Sequence, residues 1–206
     1  MTSGWRSGFA IPVLLAATAP VLALILVAVA QVATPSGDIR EGIYPWFIAL
    51  AAALFALCCF GLLAIHGPDT GKWVLIGSWW AALAFFGLAG GFLAIAVGGL
   101  LGIDEEAAGP FALLPLIGLA FGFVSMAPAL AVAAVGASRR KVLPKWGRVA
   151  LWVQAPLLPL LLIYGGIFED RAETIGSATI LGAMAILWVA IGLAIGTAHK
   201  RRTHTV

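Results

Sequence analysis

Thr18, Ser78, Ser125 and Gln154 are polar side chains set inside long apolar runs of this 206-residue chain. Their chemistry is hydrogen bonding, either to a freed backbone carbonyl or to a small neutral solute. Thr18 stands near Pro12 and Pro20, Ser125 near Pro115 and Pro128, and Gln154 near Pro156 and Pro159. A proline inside a helix removes a hydrogen bond and can kink the chain. Broken helices with polar neighbours form substrate sites in transporters, although proline is also common in ordinary membrane helices.

Groups capable of harder chemistry lie elsewhere. His66, His199 and His204 fall at or beyond the ends of apolar runs, and no Asp, Glu, Lys or Arg stands in the middle of one. A haem held between helices needs histidines inside the bundle, and an intramembrane zinc protease needs H-E-x-x-H on a helix. Neither pattern is present. Cys58 and Cys59 are adjacent and make no C-x-x-C motif. His66 and Asp69 read as part of a turn built on Gly67, Pro68 and Gly71. No nucleophile–base or acid–base pair can be named, so neither an enzyme, a metal site nor a cofactor is expected.

Two charged groups remain. Asp38, Glu41, Asp104, Glu105, Glu106, Glu169, Asp170 and Glu173 fall in three short segments. Convergent loops of this kind could bind a divalent cation, but solvated loops account for them. Arg139, Arg140, Lys141, Lys145 and Arg148 form a basic stretch, and Lys200, Arg201 and Arg202 form a basic tail. Cations beside apolar spans attract anionic lipid headgroups, at about 1 kcal/mol each near the surface. The net charge is only +3 and follows the spans, so nucleic acid is not an expected partner.

The elements that must carry these groups follow from composition. Sixty-two per cent of the chain is hydrophobic and 10% is charged, against roughly half and a quarter in soluble domains. The surface must therefore face lipid. Charged clusters divide the chain into six apolar stretches, each near the roughly 20 residues that a spanning helix requires. Helices are predicted over about 9–32, 45–65, 74–101, 110–136, 149–168 and 174–197. Transmembrane strands would be about 10 residues long with alternating polarity. The expected fold is therefore all-α: one polytopic domain, residues 1–206, built as a six-helix bundle.

The loops orient it. If the N-terminus is cytoplasmic, the inner side carries Arg6, Lys72, the basic stretch and the basic tail, and the outer side carries only Arg40 and Arg171. The positive-inside rule then places both termini in the cytoplasm, in a cell (inner or plasma) membrane. A cleaved first span is the alternative, since Ala28-Val29-Ala30 resembles a cleavage site. Its apolar run is longer than a usual signal core, so six spans are expected. Trp5, Tyr44, Trp46, Trp73, Trp146, Trp152 and Tyr164 fall near span ends, where such rings anchor. Trp79, Trp80 and Trp188 lie deeper and are expected to pack. Gly87/Gly91, Gly98/Gly102, Gly118/Gly122 and Gly192/Gly196 have the spacing of close helix seams, within the chain or in a homo-oligomer.

Arg139-Arg140-Lys141 followed by Leu143-Pro144-Lys145-Trp146 reads as an interfacial elbow. This segment resembles a recurring element of small, uncharacterised multi-pass membrane proteins of high-GC, actinobacterial-type bacteria. The resemblance covers residues 139–148 and implies no activity. Taken together, the residues point to a non-catalytic accessory, structural or lipid-interacting membrane component. The alternative is a transporter or channel for a small neutral or apolar solute.

Overall fold

The computed structural model describes residues 4–33, 43–64, 71–102, 109, 113–167 and 171–204. They form six α-helices: α1 (Gly4–Ala33), α2 (Tyr44–Ala64), α3 (Lys72–Leu101), α4 (Leu113–Arg140), α5 (Lys145–Ile167) and α6 (Arg171–His204). Four are long and apolar enough to cross a membrane, over Tyr44–Leu63, Lys72–Leu101, Leu113–Arg140 and Ala183–Arg201. Helices suit such sequences because each backbone amide bonds within its own segment.

Several helices run past the spans expected from sequence. The fourth continues to Arg140 and the fifth begins at Lys145, so most of the basic stretch is helical. The turn between them is compact. Lys141 adopts a left-handed conformation (φ 51°), and the Val142 amide donates to the Ala137 carbonyl at 3.2 Å. This is the usual six-to-one closure of a helix C-terminus. The Arg148 amide then donates to the Pro144 carbonyl at 3.1 Å, which opens α5. At the other end of the bundle, Gly102 (φ 60°) closes α3, its N–H reaching the Gly98 and Gly99 carbonyls.

Each helix packs on the next, and α6 returns onto α1, so the described helices form a closed circuit. Small residues set its tightest seam. Along α3 and α4, Val74 meets Gly136, Gly77 meets Ala133, Ala84 meets Gly122, and Gly87 meets Gly118. As one number rises the other falls, so this pair is antiparallel. Contact between α2 and α6 runs the other way: Phe55 stacks on Trp188, and Gly61 faces Ile195. These two helices are parallel, as they must be if the chain reverses direction at every turn between them.

The interior is rich in alanine, with Leu62, Met126, Leu130, Leu151, Ile191 and Ile195 as its larger buried members. Large apolar side chains face outward in mid-helix, among them Val124 (75% exposed) and Ile186 (71%). In water such a surface is a liability; against lipid tails it carries no penalty.

Of the glycine pairs, Gly87/Gly91, Gly118/Gly122 and Gly192/Gly196 face other helices of the same chain. Gly98 meets no described atom within 4 Å, and Gly102 serves as a cap. Trp188 is buried as expected. Trp79 instead faces outward, with its ring edge-on to Phe60 at 5.2 Å.

Candidate functional site

Of the four polar residues in the apolar runs, the structure buries three. Gln154 on α5 and Ser78 on α3 are fully buried, and Ser125 on α4 is buried. Thr18 faces outward and donates to the Leu15 carbonyl at 3.1 Å. Its hydroxyl occupies a carbonyl of its own helix, which is a common way to hide a hydroxyl in lipid.

Ser78 and Gln154 stand on α3 and α5, the two helices joined through α4. The Ser78 hydroxyl and both amide atoms of Gln154 have no hydrogen-bond partner among the described residues. Each buried unpaired polar group costs ~1–3 kcal/mol, so the interior holds unsatisfied polar groups on two helices.

Elsewhere in the interior, three aromatic rings from three helices meet. Phe55 (α2), Phe85 (α3) and Trp188 (α6) form a triangle with centroid separations of 5.5, 5.1 and 5.2 Å. Such tilted and edge-on geometries suit the ring quadrupoles. The triangle bridges α3 and α6, which are not neighbours in the circuit. No signal in the sequence singled out these three residues together, because each sits in an unremarkable apolar run.

The second polar region lies at one end of the bundle. Gly136 lets the start of α3 approach the end of α4, and the same antiparallel turn sets the start of α5 beside them. Gly147 near the start of α5 meets Ala194, which brings the end of α6 to the same place. Lys72, Arg139, Arg140, Lys141, Lys145, Arg148, Lys200 and Arg201 thus share one end. Most are exposed; Arg148 is half-buried. Its Nη1 donates to the Ser138 carbonyl at 3.4 Å, and Trp152 Nε1 donates to the Ser138 hydroxyl at 3.1 Å. Ser138 thereby ties α5 to the end of α4. The side chain of Arg202 is outside the described residues.

Here Gly71, Lys72, Trp73, Gly136, Arg139 and Arg140 line a cavity of about 460 Å³. Gly71 caps α3 without a side chain. A methyl group there would lie 3.0 Å from Arg140 Nε, so the bare glycine makes room for the guanidinium. Lys72 Nζ sits 5.8 Å from the Trp73 ring centroid. The Val74 amide bonds to the Gly71 carbonyl at 3.0 Å. The amides of Lys72 and Trp73 precede it, in the first turn, where intrahelical acceptors run out.

Among the described residues no group of three metal-ligating side chains occurs. His66, Asp69, Asp38, Glu41, Asp104, Glu105, Glu106, Glu169 and Asp170 lie outside the described residues, as does the side chain of Glu173. Cys58 and Cys59 are free and buried on α2. Comparisons with protein-family models, with curated proteins and with solved structures found no match for this chain.

Proposed function

We propose that this chain is a six-span integral membrane bundle with both termini cytoplasmic, and a non-catalytic, lipid-interacting structural or accessory component of a cell membrane. The observation that carries this reading is the gathering of described cations at one end of a bundle whose flanks are apolar. Such an end suits the cytoplasmic leaflet, where anionic lipids concentrate. Arg139, Arg140, Lys141, Lys145, Arg148, Lys200, Arg201 and Arg202 are the headgroup contacts, with Arg148 also holding the α4–α5 turn.

Two further observations support the topology. The parallel run of α2 and α6 fits a chain that crosses at every helix between them. Helix α1 buries Val13, Ala16, Ala19 and Ala23 against its neighbours, which fits a retained first span. Any contact between copies falls to the uncovered Gly98 stretch rather than to the glycines already used inside the chain.

Single-cysteine labelling tests the orientation, in a background with Cys58 and Cys59 replaced by Ala. With an impermeant maleimide, Ser36→Cys should label in intact cells and Lys200→Cys only after the membrane is opened. Labelling of Lys200→Cys in intact cells would overturn the orientation. A mature N-terminus at Gln31 would remove the first span.

A second reading, passage of a small neutral solute, is favoured by the unpaired Gln154 amide and Ser78 hydroxyl. Proteoliposomes should then show solute flux that Gln154→Leu abolishes. Flux indistinguishable from empty vesicles across a panel of small polyols and amides would remove this reading.

A further inference from the structure

We propose that the cavity between the start of α3 and the end of α4 is a pocket for one phosphate group. Lys72, Arg139 and Arg140 would bind it, together with the first amides of α3. The inference rests on the lipid-interacting reading only for its preferred source, the headgroup of an anionic phospholipid; a free phosphate would use the same donors.

Three features separate this place from the rest of the basic end. The first is concavity. A half-open hollow of about 460 Å³ lies among these side chains. Lys145, Lys200 and Arg201 line no part of it.

The second is the donor set. Two guanidinium groups bring planar N–H forks that match phosphate oxygens, and Lys72 adds a point charge. The exposed first turn of α3 adds N–H groups with the positive end of the helix dipole. Gly71 keeps that turn uncovered, and Gly136 brings α4 close enough for both arginines to reach it.

The third is that, among the described residues, no hydrogen bond or ion pair of the fold engages these cations. At the end of α4 the Ala137 carbonyl is taken by the Val142 amide, and the Ser138 carbonyl by Arg148. Arg139 and Arg140 are therefore not needed as caps for those two carbonyls. Three cations and a helix N-terminus around one cavity repel each other until an anion enters. The acidic residue closest in sequence is Asp69, outside the described residues, and the test includes it.

The experiment uses the full chain in nanodiscs of phosphatidylcholine, alone or doped with phosphatidic acid, and follows thermal stability and lipid retention. The expected result is stabilisation by phosphatidic acid, with apparent affinity reduced at least about tenfold in Lys72→Ala/Arg139→Ala/Arg140→Ala. Lys145→Ala/Lys200→Ala/Arg201→Ala removes equal charge from headgroup contacts outside the pocket. It should weaken phosphatidic acid binding clearly less than the first triple, and leave binding of inorganic phosphate in detergent within about threefold of the native chain. Equal weakening by both triples would sink the pocket and leave the general lipid reading standing. No stabilisation of the native chain, or of Asp69→Asn, by phosphatidic acid or by inorganic phosphate would sink both. Inorganic phosphate titrated into detergent-solubilised protein separates the sources. Binding there without any effect of phosphatidic acid keeps the pocket and assigns it to free phosphate.

Discussion

Gly77 lies so close to Ala133 that a methyl group on its Cα would overlap the Ala133 backbone nitrogen. No side-chain rotation can relieve such an overlap, because the obstacle is main chain. Gly77→Ala should therefore part α3 from α4 and cost about 1–3 kcal/mol, the usual range for overpacking. Gly90 is the control: nothing described lies within 4 Å of its missing side chain. Gly90→Ala should be neutral or stabilising by up to about 1 kcal/mol through helix propensity. Thermal denaturation in detergent distinguishes the pair, and equal melting temperatures would contradict the seam.

Gln154 offers the opposite expectation. Its amide is buried, and neither atom is paired among the described residues. Gln154→Leu keeps much of the volume and removes the unpaired groups, so it should leave stability unchanged or raise it by about 1–3 kcal/mol. A clear loss of stability would show that the amide has a partner that matters to the fold.

Lys141 occupies a left-handed conformation that side chains with a Cβ tolerate poorly. Lys141→Gly should stabilise the chain by about 1 kcal/mol, and Lys141→Val should destabilise it by a similar amount. If both variants melted together below the native chain, the Lys141 side chain itself would be the important feature.

The aromatic triangle predicts coupling. Trp188→Ala should cost about 3–5 kcal/mol, as large buried aromatics do. In a double-mutant cycle with Phe55→Leu, the Phe55–Trp188 pair should show about 0.5–1.5 kcal/mol of interaction. Strict additivity would mean that the rings share only a neighbourhood.

Some of this was legible in the sequence. Clusters such as Arg139-Arg140-Lys141 mark where the apolar runs end, because charge is costly in lipid, and each of the six helices is centred between such marks although several run into them. The paired glycines of α3 and α4 announced a seam, since few other uses of that spacing exist in an apolar helix. The facing of individual residues was not legible. Helix α1 is apolar on every side, so no periodicity tells that Thr18 points out while Ala16 and Ala19 point in. Gly77 and Gly136 escaped notice because each stands alone rather than in a four-residue pair. The cavity escaped because it joins Lys72 to Arg139 and Arg140 across the whole of α3 and α4.

Closure of the circuit by α1 against α6 has a consequence for biogenesis. Helix α1 leaves the ribosome before α6, and finds its final neighbour only when α6 has been made. Until then α1 presents an unfinished edge at Ala17 and Pro20, which Gly192 and Gly196 of α6 later cover. A chain truncated before α6 would keep that edge open to membrane proteases. Synthesis of α6 and sealing of the bundle are thus one event, and persistence of α1 in a cell reports that α6 arrived.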